Sequence, residues 1–315
     1  MEPKNCENFE EIFYNILAEG HRPEAAYDHL VVFSGGKDST YMAHKLRQAK
    51  GGRVCLFCVD NGFEENSYID HLKKAASQLQ MDLYIYAPPI GEFIVYYNFL
   101  IQEDLMKSFD SNPLCFFCAR YFMALGQEFA DRLNIPFVSY GATPMQLTGN
   151  KLARNLKDIE LYEPATKMVR ESMYRKIKGL EAYKGNPVLK KIIDRVFYSP
   201  KNTKLIFPFQ YVEYNIGNII KTLETEYDWQ PPAKETSKGE YLTSGCELLD
   251  FVYAITEKRG FTMHELPQLE HDYAQGIMTQ TAYDYNKKRF QSMLTQSPTP
   301  EIKKVAKVLG VENLL

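Results

Sequence analysis

The sequence lacks any long apolar run and any strong excess of one charge. No stretch of the chain reaches the roughly 18 consecutive apolar residues that a membrane span requires. The net charge is −3, so the overall composition gives no attraction to nucleic acid or to a membrane surface. The first residues, MEPKNCENFEE, are acidic and have neither the basic nor the apolar segment of a secretory signal. We therefore expect a cytoplasmic protein that does not bind a membrane.

Cysteine and histidine are also scarce. The six histidines show neither the spacing of metal ligands nor that of a catalytic triad, and we assign them no role. Six cysteines in a reducing compartment do not form a disulfide framework, so deliberate spacing indicates ligation or chemistry. Four of them form two C-x-x-C pairs and two stand alone: Cys55 with Cys58, Cys115 with Cys118, then Cys6 and Cys246.

Short apolar runs alternate with helical patterns along the first half of the chain. The apolar runs predict strands over 29–33, 53–59, 82–87 and 136–142. The apolar spacing between them predicts helices over 38–47, 66–79 and 113–133. This alternation is typical of a parallel sheet with helices on both faces, in which ligands bind at the carboxyl ends of the strands. The predicted fold class is α/β: a doubly wound, Rossmann-like parallel sheet, followed by a mainly helical C-terminal region.

Residues 34–39, with the sequence SGGKDS, stand between the first predicted strand and the first predicted helix. We call this segment the SGGKDS loop. A glycine turn and the free N–H groups of a helix N-terminus together form an anion site. Glycines let the backbone approach a phosphate closely, while hydroxyl groups and a lysine add donors and charge. The candidate phosphate-binding residues are Ser34, Gly35, Gly36, Lys37, Asp38 and Ser39.

The loop is not a Walker A motif. That motif requires G-x-x-x-x-G-K followed by Ser or Thr, whereas here Val31 occupies the first glycine position and Asp38 follows the lysine. An aspartate next to phosphates is explained if it holds Mg²⁺ on a polyphosphate. A plain glycine-rich turn is the alternative interpretation.

SGGKDS resembles the signature of the PP-loop ATP pyrophosphatases, which cleave ATP between its α and β phosphates and adenylate a substrate oxygen. The resemblance implies a fold like that of the adenine nucleotide alpha hydrolases, with ATP and Mg²⁺ as cofactors and Lys37 and Asp38 as catalytic residues. Two more positions resemble the family and are implied to lie at the nucleotide: Asp60, in the Asp-Asn-Gly-Phe turn, and Gly141. An ordinary Asn-Gly turn also explains residues 60–63. Residues 142–146 lack the acidic pair of many tRNA-modifying members.

Cys115 and Cys118 open a predicted helix, where a spacing of three places both on one face. We expect the helix N–H groups to lower the pKa of both thiols. The segment PLCFFCAR resembles the C-x-x-C-x-R element of PP-loop thiolases and sugar amidotransferases, several of which also have a cysteine where Cys246 stands. Three thiolates would hold a 4Fe–4S cluster with one open iron. They would also hold zinc if a further ligand were present. A third interpretation is that the three cysteines bind no metal and are small buried side chains. Cys55 and Cys58 lie on a strand, so they point to opposite faces and are expected in the core.

Beyond the loop, the chain resembles the N-acetyl sugar amidotransferases of surface-polysaccharide and nonulosonic-acid pathways over 207–232, 243–261 and 274–285. This resemblance implies that the amide oxygen of an N-acetyl sugar, free or nucleotide-linked, is adenylated and that ammonia then displaces AMP. The cysteine-rich N-terminal element of that family is missing. No Cys–His arrangement of a glutaminase is seen, so we expect either a separate glutaminase subunit as partner or the direct use of ammonium at high concentration.

The main alternative is a PP-loop sulfurtransferase that thiolates a tRNA nucleoside by means of an iron–sulfur cluster. It would bind tRNA through residues 151–204, the basic segment, which has 14 Lys and Arg against 6 Asp and Glu. A solvated surface or an anion-binding lid also explains that charge, because no aromatic-rich pattern accompanies it. The predicted domains are an N-terminal extension over 1–24, a nucleotide-binding domain over 25–150, the basic segment as an insertion or lid, and a helical substrate region over 205–315.

Overall fold

The computed structural model describes residues 8–49, 52–64, 67–103, 113–143, 167, 170–230, 246–260, 265–276, 278–295 and 297–315. Cys6, most of the first third of the basic segment and residues 144–146 after Gly141 lie outside the described residues, so the predictions made for them stay predictions. No helix among the described residues is long and apolar enough to cross a membrane.

Five strands form one parallel sheet in the order β3-β2-β1-β4-β5. They are β1 (His29–Val32), β2 (Val54–Val59), β3 (Asp82–Tyr86), β4 (Phe137–Tyr140) and β5 (Lys204–Ile206). In the register, His29 pairs with Val54 on one side and with Phe137 on the other. The four predicted strands are confirmed. β5 was not predicted, because three residues with one buried side chain give no pattern.

Helices cover the sheet and make up most of the C-terminal region. They are α1 (Phe9–Glu19), α2 (Lys37–Arg47), α3 (Tyr68–Leu79), α4 (Ile90–Gln102), α5 (Pro113–Arg132), α6 (Glu181–Gly185), α7 (Pro187–Val196), α8 (Ile216–Tyr227), α9 (Glu247–Arg259), α10 (Glu265–Ala274), α11 (Gln280–Thr295) and α12 (Pro300–Leu309). Residues 170–179 are also helical.

The sheet has a separate hydrophobic core on each face. Along β2, Cys55 and Phe57 pack in one core with α4, α5, α9 and α12. Leu56 and Cys58 pack in the other core, with α1, α2, α3 and α8. Both thiols are buried and burial raises the pKa of Cys58 to about 12, so the prediction that this pair belongs to the core is confirmed. The doubly wound α/β class is confirmed as well.

The strand order reverses direction between β1 and β4. The chain runs from β1 outward to β2 and β3, and then returns to place β4 on the opposite side of β1. The carboxyl ends of β1 and β4 therefore flank the topological switch point, where open α/β sheets bind their ligands. β1 leads into the SGGKDS loop and β4 leads into Gly141, so the fold brings these two predicted elements together.

Candidate functional site

The SGGKDS loop turns from β1 directly into α2. Gly35 has a φ of 71°, in the left-handed region that glycine adopts without strain. Gly36 is the N-cap of α2, and no described side chain caps this helix end. The first N–H groups of α2 are therefore available to an anion, and the helix dipole favours negative charge there.

Two serine hydroxyls brace the loop from within. The oxygen atoms Ser34 Oγ and Ser39 Oγ are 3.2 Å apart, and Ser39 Oγ also donates to the Gly36 carbonyl at 3.2 Å. The backbone N–H of Ser34 donates to Ser39 Oγ at 3.2 Å. In this structure both serines thus fix the shape of the loop, and their contact with phosphate stays a prediction.

The carbonyl of Gly35 is held by donors from two distant segments. His71 Nε2 on α3 lies 2.9 Å from it, and Trp229 Nε1, just after α8, donates to it at 3.1 Å. Because a carbonyl can only accept, His71 must carry its proton on Nε2. The assignment of no role to the histidines is therefore wrong for His71, which positions the loop. Spacing could not reveal this contact, since it joins residues far apart in the sequence.

Lys37 and Asp38 form a largely buried ion pair at the start of α2. Lys37 Nζ lies 2.7 Å from Asp38 Oδ2 and 5.9 Å from the centre of the Tyr214 ring, and Lys37 is only 6% exposed. The other carboxylate oxygen, Asp38 Oδ1, is buried without a hydrogen-bond partner in the described part of the chain. A buried, unpartnered carboxylate oxygen beside an anion site fits Mg²⁺, which takes oxygen ligands from the protein and from phosphates.

A second acidic residue, from the C-terminal region, interacts electrostatically with this pair. Asp272 on α10 is 2% exposed, and its Oδ2 has no partner among the described residues. Burial and, to a smaller extent, the charge of Asp38 raise the pKa of Asp272 to about 6, against the opposing effects of Gln268 and Lys37. Burial, followed by the charges of Asp38 and Asp272, raises the pKa of Tyr214 well above its usual value. Neither Tyr214 nor Asp272 was predicted as a site residue, although Tyr214 lies within the segment 207–232.

Gly141 and Asp60 both stand at the carboxyl edge of the sheet. A Cβ atom at Gly141 would lie 3.3 Å from the backbone nitrogen of Ser39 and 3.4 Å from the carbonyl carbon of Asp38. Gly141 therefore lets the end of β4 pack closely against the first turn of α2. Asp60 Oδ1 accepts from the N–H of Gly62 at 2.8 Å, and Gly62 has a φ of 75°. Locally, Asp60 shapes an ordinary Asx turn; direct contact of Asp60 or Gly141 with a nucleotide stays a prediction.

The three predicted cysteine ligands come together. Cys115 and Cys118, at the start of α5, and Cys246, just before α9, interact electrostatically with one another. The Tyr97 hydroxyl lies 2.9 Å from Cys118 Sγ, and Asn61, in the turn after β2, lies with its Nδ2 4.0 Å from Cys246 Sγ. We call these three residues the cysteine trio. It lies beside the turn of Asp60, at the same edge of the sheet as the SGGKDS loop.

The predicted lowering of the thiol pKa values is wrong. Burial raises the pKa of Cys118 to about 12 and also raises those of Cys115 and Cys246, and the nearby carboxylate of Glu64 adds to each. Desolvation of the thiolates outweighs the helix N–H groups. Three sulfur donors suit a 4Fe–4S cluster or zinc. However, no group of described side chains has the arrangement of a formed metal site, so we derive no step through a metal here.

No protein-family model and no curated protein matches this sequence. Solved structures do show a likeness, among them the three that follow. An NH3-dependent NAD synthetase from Campylobacter jejuni is 15% identical, with 60% of this chain and 92% of that chain covered and a TM-score of 0.34. A U34-tRNA thiolase from Methanococcus maripaludis, solved with its 4Fe–4S cluster, is 14% identical. The match covers 97% of this chain and 91% of that chain, with a TM-score of 0.38. A predicted tRNA methyltransferase subunit from Methanocaldococcus jannaschii is 16% identical. The match covers 76% of this chain and 91% of that chain, with a TM-score of 0.35.

At these identities and TM-scores the likenesses say nothing about function, so the function is inferred from the geometry of this chain's own site.

Proposed function

We propose that this protein is a PP-loop ATP pyrophosphatase that activates a substrate oxygen by adenylation. The observation that carries the proposal is the SGGKDS loop at the switch point between β1 and β4. There an uncapped helix N-terminus lies beside the buried Lys37 and the unpartnered Asp38 Oδ1. Backbone amides and a lysine bind phosphate, and a free carboxylate oxygen suits the cation that accompanies it.

The chemistry follows from these groups. A substrate oxygen attacks the α-phosphorus of ATP, the new O–P bond forms, and the bond from the α-phosphorus to the bridging oxygen breaks to release pyrophosphate. Negative charge builds on the phosphate oxygens during this displacement. Lys37 and the N–H groups of α2 are fixed in place before the reaction, so they stabilise that charge without reorganising. Mg²⁺ at Asp38, when bound, would neutralise charge on the polyphosphate.

The acceptor that we propose is the amide oxygen of an N-acetyl sugar or of its nucleotide-linked form. After adenylation, ammonia attacks the amide carbon and AMP leaves with the original oxygen, which gives an acetamidino group. Two of the segments on which the amidotransferase resemblance rests, 207–232 and 243–261, contribute Tyr214, Trp229 and Cys246 to this edge of the sheet. That placement supports the proposal. Ammonia would come from solution or from a separate glutaminase.

Sulfur transfer to tRNA is the second candidate, and the cysteine trio favours it. The trio lies at the same edge as the SGGKDS loop, where a sulfur donor would have to meet an adenylated nucleoside. An open groove of about 820 Å³ is lined by the basic side chains of Arg132, Lys190, Lys191 and Arg195 and by the acidic side chains of Glu128 and Asp194. Most of its basic charge is already paired, since Arg132 and Arg195 contact Glu128 and Lys191 contacts Glu92.

A matched set of reactions distinguishes the two candidates. The protein is incubated with ATP and Mg²⁺, together with either an N-acetyl sugar and ammonium or tRNA and a sulfur donor. We expect AMP release that depends on ammonium, and a sugar product in which NH has replaced the amide oxygen. AMP release that requires tRNA and sulfur would refute the sugar proposal. Asp38→Asn should abolish AMP release, while Asp284→Asn, which changes an exposed carboxylate on α11, should not.

A further inference from the structure

Two carboxylates act on one lysine at the SGGKDS loop: Asp38 forms an ion pair with Lys37, and Asp272 interacts with it electrostatically. Asp38 lies at the start of α2 and Asp272 on α10, and each has one oxygen without a partner in the described chain. The charges of Lys37 and Asp38 both act on Asp272, and those of Asp38 and Asp272 both act on Tyr214. These four side chains therefore form one cluster, although Asp272 comes from the C-terminal helices.

The cluster carries more negative than positive charge when both carboxylates are ionised. Such an excess is unfavourable in a buried site unless a cation or further hydrogen bonds compensate it. A bound polyphosphate would add still more negative charge. Because the hydrogen bond from Gln268 leaves Asp272 Oδ2 unpartnered, this oxygen remains available as a ligand.

Magnesium matches this arrangement. Mg²⁺ is commonly held by one or two carboxylates together with substrate phosphates and several waters, without a complete protein cage. A site of two carboxylates is therefore sufficient, and it agrees with the finding that no three or more of the described side chains are arranged so that they could hold a metal ion.

We infer that Asp272 is a second protein ligand, beside Asp38, for the Mg²⁺ that accompanies the polyphosphate of ATP. This inference rests on the proposed function and deepens it. The C-terminal helices then complete the nucleotide site, instead of serving only to bind the acceptor.

The inference is tested with Mn²⁺ as a spectroscopic substitute for Mg²⁺ and with α,β-methylene-ATP, which cannot be cleaved at the reacting bond. Electron paramagnetic resonance measures bound Mn²⁺, and calorimetry measures the analogue. In Asp272→Asn we expect the affinity for Mn²⁺ in the presence of the analogue to fall on the order of tenfold or more. Glu270→Gln, which changes an exposed carboxylate on the same helix, is the matched control and should leave it unchanged.

The outcomes separate this inference from the proposed function. Equal Mn²⁺ affinity in Asp272→Asn and the wild type would refute the role of Asp272 while leaving nucleotide binding intact. If the wild type binds neither the analogue nor Mn²⁺, the proposed function fails and the inference fails with it. Thermal unfolding without metal checks the fold: Asp272→Asn should melt no lower than the wild type, because it removes repulsion between buried carboxylates. If Asp272→Asn does not fold, Asp272→Glu keeps the charge but moves the oxygens, and it should still weaken Mn²⁺ binding.

Discussion

Replacing Gly35 with alanine tests the geometry of the SGGKDS loop. The φ of 71° at this position is left-handed, and a Cβ atom there would lie 2.8 Å from Cδ2 of His71. The left-handed conformation costs a non-glycine residue about 1–2 kcal/mol. Crowding against a packed side chain adds about 1–3 kcal/mol, partly relieved if His71 shifts and gives up its hydrogen bond. We therefore expect Gly35→Ala to lower the free energy of unfolding by about 2–4 kcal/mol.

Gly36→Ala is the control in the same loop. Gly36 has a φ of −71°, which any residue adopts, and the one described neighbour that a Cβ there would contact is the Ser34 hydroxyl, at 3.4 Å. A loss of about 1 kcal/mol lowers the melting temperature of a chain of this size by about 2 °C. Thermal unfolding followed by circular dichroism should therefore show a melting temperature roughly 4–8 °C lower in Gly35→Ala and little changed in Gly36→Ala. When Gly35→Ala is made in a His71→Ala background, its cost should fall, because the closest contact is gone; the contact with Leu72 Cδ2 at 3.1 Å and the cost of the left-handed conformation remain. Equal losses in the two single variants would refute the loop geometry described here.

Two further predictions concern the pH dependence of stability and the response to ligand. Burial lowers the pKa of His29 on β1 to about 4 from 6.5, so its contribution to stability is complete above pH 6.5 and is lost as the pH falls from 6.5 toward 4. The loss in the free energy of unfolding should reach about 3 kcal/mol, at 1.36 kcal/mol per pH unit. Urea unfolding at several pH values measures it, and the stability of His29→Gln should depend less on pH than that of the wild type. If both depend on pH equally, His29 does not cause the loss. Trp229 is the single tryptophan of the chain and donates to the Gly35 carbonyl, so its fluorescence should change when α,β-methylene-ATP and Mg²⁺ bind. Binding seen by calorimetry without any fluorescence change would place the nucleotide away from the loop.

Much of the fold could be predicted because its sheet is parallel and covered on both faces. Strands buried in this way appear in the sequence as short apolar runs, as β1 and β2 do. Cys55 and Cys58 could be assigned to opposite cores because the side chains of a strand alternate between faces. β5 gave no such signal, since only Ile206 of its three residues is buried.

In the candidate site, the residues that are contiguous in the sequence could be predicted and those that come from distant segments could not. The SGGKDS loop is contiguous, so glycine conformation and helix-terminus chemistry predict its shape from the sequence. His71, Trp229 and Asp272 reach the loop only through tertiary packing, and no spacing in the sequence links them to it. The thiol pKa values were wrongly predicted for a related reason. The helix N-terminus is visible in the sequence, whereas the burial that outweighs it is not.

The bond of ATP that is cleaved distinguishes adenylation from every reaction at the γ-phosphate. The protein is incubated with ATP, Mg²⁺ and ammonium in the presence of N-acetyl sugars, their nucleotide-linked forms and tRNA, and the nucleotide products are separated by chromatography. We expect AMP and pyrophosphate in equal amounts from the wild type and neither product from Asp38→Asn. ADP and phosphate as the products would contradict it, because the SGGKDS loop would then direct attack at the γ-phosphorus instead of the α-phosphorus.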